Sequence, residues 1–319
     1  MIARDPRLLF EQAREGSRTA LARLLTYVES GGERLRESVA VAYAAPPPFV
    51  VGITGPPGAG KSTLTDRLIT SLLGDGVADP DARRQVGVLC VDPSSPFTGG
   101  AILGDRIRMQ DHATNSRVFI RSMATRGHLG GLSLAVPDAL RVLGASGFED
   151  VLVETVGVGQ MEVEIASAAD TTVVVTNPGW GDSMQANKAG LLEVADVFVI
   201  NKADRAGVRE TRRDLEQMLD LGGERAWRPL IVETVATNGD GVEALVEALG
   251  AHRRYLDTGA LDHARRARTR VELDQVIAVT LRSRVTSLAD DERYEEQVDA
   301  LMAGTTDPYR AAERLLSDR

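Results

Sequence analysis

Hydrophobic and polar positions follow two rhythms along this chain, and the changes of rhythm divide it into three stretches. Over residues 6–44 the pattern is helical: Leu21, Leu24, Leu25 and Val28 recur at the three-and-four spacing of one helix face. The run "AAPPPF" at 44–49 ends it, because proline lacks the amide donor and pushes the preceding residue out of helical backbone. From residue 49 to 257 short continuous apolar runs alternate with helical stretches. The runs are "FVVGITG", "VGVLCVD", "RVFIRS", "VLVETVG", "TTVVVTN", "VFVINK" and "LIVETVA". Continuous rather than alternating apolarity predicts strands covered on both faces, and helices between them predict βαβ units and a mostly parallel sheet. After Gly259 the pattern returns to helix without strands, with Leu273, Ile277, Leu281, Val285 and Leu288 on one stripe. Asp307 and Pro308 then open a last short helix in "TTDPYRAAERLL". The expected organisation is helical over 1–45, α/β over 46–257 and helical over 258–319.

Composition changes this picture only at its edges. Hydrophobic residues at 43% and charged residues at 26% are ordinary for a soluble globular protein of 319 residues. Aromatics make up only 4%, so the core is built from Val, Leu, Ile and Ala, which suits a buried parallel sheet. A net charge of −9 argues against non-specific nucleic-acid binding, which depends on neutralising phosphates. The basic "HARRARTR" at 263–270 reads as a solvated helix face. Cys90 is the one cysteine and lies inside an apolar run, so a buried structural thiol is expected. The N-terminal residues lack the apolar core of a signal peptide, and no window approaches a membrane span, so the expected location is the cytoplasm.

The chemistry is concentrated in a few loops. "GPPGAGKST" (Gly55, Pro56, Pro57, Gly58, Ala59, Gly60, Lys61, Ser62, Thr63) follows a strand and opens a helix, which is the context a Walker A phosphate loop requires. Its glycines let the backbone curl so that amide groups face an anion, Lys61 can reach the β- and γ-phosphates, and Ser62 offers a hydroxyl to Mg²⁺. "NKAD" follows the strand "VFVI". There Asn201 can meet the base edge, the stem of Lys202 can cover the ring, and Asp204 can accept the two N–H groups of guanine N1 and N2. Adenine would leave that carboxylate unpaired, at a cost of ~1–3 kcal/mol or more. The expected nucleotide is GTP. Backbone amides of Val235, Ala236 and Thr237, after the last strand-like run, are candidates to hold the guanine O6.

Mg²⁺ takes one or two carboxylates, and three are placed at strand or helix ends: Asp92, Asp105 and Glu154. Each could instead be an end cap. Val158 stands where a glutamine would orient the attacking water, so slow intrinsic hydrolysis is expected. The segment "NPGWGDSMQANKAG" at 177–190 raises a separate question, since it sets Trp180 between glycines and adds Asp182, Gln185 and Lys188.

Together "GITGPPGAGKSTL", "VDPSSPFTGGAILGDRIRM", "ETVGVGQ", "PGWGDSMQANKAG" and "INKAD" resemble the MeaB/ArgK GTPases, chaperones of cobalamin-dependent methylmalonyl-CoA mutase, from about residue 16 to 285. The resemblance implies a P-loop GTPase domain of the signal-recognition and MinD-like class, an N-terminal helical extension and a C-terminal arm that supports a homodimer. It implies GTP hydrolysis, with Mg²⁺, coupled to loading adenosylcobalamin into the mutase and protecting it, with a cobalamin adenosyltransferase as a further partner. It also implies that Asp182, Gln185 and Lys188 form a partner-facing switch and that Lys188, with Lys61, Asp105 and Glu154, serves turnover. Trp180 and Val235 depart from the family pattern, which expects a small or aliphatic residue and a serine there. Older family names speak of a lysine/arginine/ornithine transport ATPase or kinase, but no sequence feature supports a kinase acceptor site. A metal-delivering GTPase is the alternative of another class. The scatter of His112, His128, His252, His263 and Cys90 speaks against it.

Overall fold

The computed structural model describes residues 5–74, 85–92, 112, 114–124, 135–155, 165–179, 190, 193–223, 225–288 and 292–317. Each of the seven apolar runs forms a strand: β1 Phe49–Thr54, β2 Val86–Asp92, β3 Val118–Ala124, β4 Asp150–Thr155, β5 Thr171–Thr176, β6 Val197–Asn201 and β7 Leu230–Thr234. They pair in parallel in one sheet of order β3-β2-β4-β1-β5-β6-β7. Strands β1, β4, β5 and β6 are buried at every residue, which is why they read as unbroken apolar runs.

Helices cover both faces, and alternate strand residues divide between them. Val51, Ile53, Leu152, Val173 and Val175 pack with Leu64, Leu68 and Ile69 of α4 (Lys61–Leu73) and with Leu245 and Leu249 of α7 (Val242–Tyr255). Val50, Val151 and Val153 pack on the opposite face with Leu140 and Leu143 of α5 (Ala135–Ala145). Val174, Phe198 and Ile200 face Leu215 and Leu219 of α6 (Val208–Leu221).

The first three helices, α1 (Pro6–Arg14), α2 (Arg18–Ser30) and α3 (Gly32–Ala42), join that same core. Asp5 caps α1 by accepting from the Arg7 amide at 2.9 Å, with Pro6 at the first helical position. The predicted stripe Leu21, Leu24, Leu25 and Val28 is buried in one cluster with Leu140, Leu143 and Phe148. Burial of each such side chain contributes ~1.5–3 kcal/mol. Arg18 donates to the Asn115 and Val118 carbonyls, and Arg121 on β3 pairs with Glu29.

The chain forms two compact units, Met1–Arg265 and Arg266–Arg319. After α7 the helical path breaks at Gly259, whose φ of 112° no other residue type adopts readily, and α8 (Leu261–Leu288) follows. Leu273, Ile277, Leu281 and Val285 of the predicted stripe are exposed on α8, and Leu288 is buried. The second unit also holds α9 (Glu292–Met302) and α10 (Pro308–Ser317). No described helix is long and apolar enough to cross a membrane.

The amino ends of the strands carry a polar cluster around His252, which is 2% exposed. Its Nδ1 lies 2.9 Å from Thr171 Oγ1, its Nε2 3.4 Å from Asp196 Oδ1, and its ring 4.8 Å from Trp227. Burial pushes its pKa down from 6.5 to about 4, against the opposing pull of the Asp170 carboxylate. Because the folded pKa lies below the unfolded one, the unfolded chain binds more protons between pH 4 and 6.5, and stability rises with pH across that window. The full shift corresponds to up to about 3 kcal/mol lost on acidification. Melting temperatures at pH 4.5 and 7 should therefore differ more in the wild type than in His252→Asn. An equal pH dependence in both proteins would remove His252 as the cause.

Candidate nucleotide-binding site

The carboxyl ends of β1, β4, β6 and β7 converge on the loop Gly55–Gly60 between β1 and α4. Four carbonyls of the loop are held by side chains. Lys61 Nζ donates to Gly55 O at 2.7 Å and Pro56 O at 3.1 Å, Lys202 Nζ to Gly58 O at 2.6 Å, and Asn201 Nδ2 to Ala59 O at 2.8 Å. Pro56 and Pro57 carry no N–H and the Ala59 N–H donates to Pro56 O at 3.2 Å, which leaves the Gly58 and Gly60 amides to meet an anion. The α4 N-terminus adds to it, since Gly60 in left-handed backbone offers no side-chain cap to the first-turn amides. Lys61 is 7% exposed, so an ammonium sits nearly buried at the loop, a placement that a phosphate would compensate.

Two glycines of the loop are required by crowding. A Cβ on Gly55 would lie 2.0 Å from the Val175 carbonyl oxygen, and one on Gly60 2.3 Å from Asn201 Nδ2. Gly58 faces open space and is needed only for its φ of 75°. Pro57 and Thr63 are exposed.

Ser62 Oγ donates to Glu154 Oε1 at 2.6 Å, with the two residues 6% and 1% exposed. Two of the expected metal ligands are thus in contact although 92 residues separate them. Two hard oxygen donors beside an anion nest fit Mg²⁺, which completes its shell with phosphate oxygens and water. Among the described residues no three His, Cys, Asp or Glu side chains cluster around a metal position, and a nucleotide-bound Mg²⁺ needs no such cage. The backbone of Asp92 ends β2 next to β4, where Val91 pairs with Thr155. Asp105, Val158, Trp180, Asp182, Gln185 and Lys188 lie outside the described residues.

The base-side motif is organised around Asn201. Its Oδ1 accepts from Thr234 Oγ1 and from the Ala236 amide, both at 3.1 Å, while its Nδ2 holds Ala59. From its motif Asn201 is expected at the base edge. In the structure its buried amide first ties the phosphate loop to the loop after β7, because both loops meet at the end of β6. Lys202 has φ 58°, the one non-glycine residue with positive φ among the described residues. The turn continues with Arg205 N to Lys202 O and Ala203 N to Thr234 O, each 3.0 Å, and leaves Asp204 exposed.

Of the three amides nominated for the guanine O6, two are engaged within the protein. Val235 N–H donates to Asp240 O at 2.9 Å and Ala236 N–H to Asn201. Among the described residues the Thr237 N–H has no such bond. Sequence reasoning missed Thr234 and Arg67. Arg67 Nε donates to Ala236 O at 3.1 Å and its Nη2 to Thr237 O at 2.9 Å. The available signal was an arginine six residues after Lys61, in the second turn of a helix whose start was already assigned.

The model of the methylmalonyl-CoA mutase-associated GTPase MeaB matches residues 21–290. This chain belongs to the MeaB family. A MeaB relative from Pyrococcus abyssi, provisionally named a GTPase, is 46% identical over 316 residues, covering 97% of this chain and 95% of that protein. A fused isobutyryl-CoA mutase of Cupriavidus metallidurans is 38% identical over 319 residues, which are 94% of this chain and 28% of that protein. The crystal structure of a LAO/AO transport system kinase superposes with a TM-score of 0.68 at 26% identity, covering 99% of this chain and 98% of the other. The MeaB fold here is therefore a P-loop GTPase fold with helical additions, as the sequence predicted.

Proposed function

We propose that this chain is a GTP-hydrolysing chaperone that gates adenosylcobalamin loading and protects methylmalonyl-CoA mutase or a related acyl-CoA mutase. The observation that carries the GTP reading is the cross-tie at Asn201, which joins the phosphate loop to the segment proposed to face the base. The mutase reading is supported by the family and by the relative in which a homologous segment is fused to isobutyryl-CoA mutase.

In this reading the Gly58 and Gly60 amides, the first-turn amides of α4 and Lys61 hold the β- and γ-phosphates, and Asp204 accepts from guanine N1 and N2. Ser62 and Glu154 hold Mg²⁺, with Asp92 and Asp105 as further candidates, and the ion neutralises charge on the phosphates when bound. The Glu154 carboxylate accepts from the Ser62 hydroxyl at 2.6 Å, so the two oxygens that would hold the ion stand side by side. The exposed stripe Leu273, Ile277, Leu281 and Val285 on α8 supports a homodimer. The reading leaves the protein in the cytoplasm, with a cobalamin adenosyltransferase as a second partner.

Base choice is tested at Asp204. Asp204→Asn should weaken GTP and improve xanthosine triphosphate, whose N2-side oxygen suits the amide donor. Titrating both nucleotides against both proteins decides it; an unchanged GTP affinity removes Asp204 from the base site. The chaperone reading is tested with purified mutase. Lys188→Ala and Gln185→Ala should keep intrinsic hydrolysis within about threefold yet lose its stimulation, because a group ordered only by the partner acts on stimulated turnover alone. Full stimulation in both variants would make residues 177–190 a spacer.

A further inference from the structure

Arg67 lies in neither the phosphate loop nor the base motif, yet it is the one α4 side chain that reaches the loop after β7 in the described hydrogen bonds. Its guanidinium is half-buried and collects two consecutive carbonyls, Ala236 O at 3.1 Å and Thr237 O at 2.9 Å. A planar fork with fixed donor directions holds two acceptors in one orientation, which a flexible ammonium does not.

The consequence for the loop follows from peptide geometry. Across a trans peptide the C=O of one residue and the N–H of the next point in opposite directions. Drawing Ala236 O toward Arg67 therefore turns the Thr237 N–H away from α4. Drawing Thr237 O the same way turns the Asn238 N–H, and that amide is already satisfied by Val235 O at 3.1 Å. The Ala236 N–H is likewise held by Asn201 and the Val235 N–H by Asp240. Thr237 N–H is the amide of this turn left to a ligand among the described residues, and Arg67 sets its direction.

We infer that Arg67 is a positioning residue for purine selection: it aims the Thr237 amide at the 6-position acceptor of the base. The inference rests on the GTP reading above and adds to it a residue and the specific base atom it serves. The same contact has a second effect. Arg67 stands two turns along the helix whose first turn carries Lys61 and Ser62, so the fork fixes the base-side loop relative to the phosphate end of the site. Asn201 makes the corresponding tie at Ala59 and Ala236 from the sheet side. The loop is thereby held from two directions, with one amide unspent.

The test uses the full-length protein and three ligands: GTP, 6-thioguanosine triphosphate and inorganic tripolyphosphate. The thio analogue keeps the N1 and N2 donors and replaces O6 with a weak sulfur acceptor. Wild type should prefer GTP over the analogue. Arg67→Ala should weaken GTP about five- to tenfold, the scale of one lost hydrogen bond, and should erase the preference. Tripolyphosphate affinity should not change, because it reports the phosphate end alone. Arg67→Lys, which keeps the cation and can reach one carbonyl but lacks the planar fork, should restore part of the preference. An Arg67→Ala protein that retains the wild-type preference overturns the inference. Equal losses for GTP, the analogue and tripolyphosphate also overturn it, since they would mark a support for α4 rather than an aimed amide. A wild type that binds tripolyphosphate but not GTP would sink the GTP reading instead, and the wild-type titration alone reveals that case.

Discussion

Gly55→Ala should abolish nucleotide binding and lower stability by about 4 kcal/mol or more, the range reserved for severe backbone or core damage. Two independent facts combine. Gly55 has φ 137°, a conformation L-residues rarely adopt, and its Cβ would meet the Val175 carbonyl oxygen at 2.0 Å and the Val175 carbonyl carbon at 3.0 Å. The obstacle is backbone of the neighbouring strand β5, which is paired with β1 through Thr54 and Val174, so no side-chain rotation relieves it. Moving Gly55 away displaces a carbonyl that Lys61 Nζ holds at 2.7 Å, and with it the position of the ammonium. Gly58→Ala is the matched control, with φ 75° and no atom within 4 Å of the added Cβ. It should cost only about 1–2 kcal/mol for left-handed backbone. Thermal melts and GDP titrations of the two variants separate strain from crowding. Comparable losses in both would show that crowding at Val175 is not what makes Gly55 necessary.

Glu154→Gln should cut GTP turnover at least about a hundredfold while leaving GDP affinity within a fewfold, because γ-phosphate chemistry depends on the ion more than GDP binding does. Glutamine removes the negative charge offered to the ion while its Oε1 still accepts from the Ser62 hydroxyl, so the loss reports the charge itself. Ser62→Ala should show the same pattern. Because the two groups touch, the double variant should fall well short of the sum of the single effects. Turnover at varied Mg²⁺ together with GDP titration provides the measurement. Parallel losses of turnover and GDP affinity would assign the pair to folding rather than to the metal.

The strands were legible because burial on both faces writes itself as continuous Val, Ile and Leu, and all seven runs fell within a residue or two of the strands. The phosphate loop was equally legible, since its glycines serve local backbone geometry that neighbouring residues in sequence determine. The strand order was not. Nothing in "VLVET" announces that β4 lies between β2 and β1, because that choice is made by packing and chain connection rather than by the strand's own pattern. The first helices show the same limit. Leu21, Leu24, Leu25 and Val28 predicted a helix with one apolar face, but not that the face would close over the sheet with α5. The site divides along the same line. Ser62 and Glu154 could each be nominated singly, and their 2.6 Å contact needed the sheet to bring them together. Asn201 was assigned to the base from its motif, and only the fold reveals that its amide is engaged by Ala59, Thr234 and Ala236. Arg67 had no motif to mark it.

Lys202 holds a left-handed backbone that glycine would adopt without strain, and its ammonium reaches Gly58 O across the site. A glycine there would relax the turn but release the phosphate loop's third carbonyl. Selection for a more robust fold and selection for a well-formed nucleotide cradle thus pull this position in opposite directions. Engineering aimed only at raising the melting temperature would find Lys202 an attractive residue to replace, and would trade away part of the site by doing so.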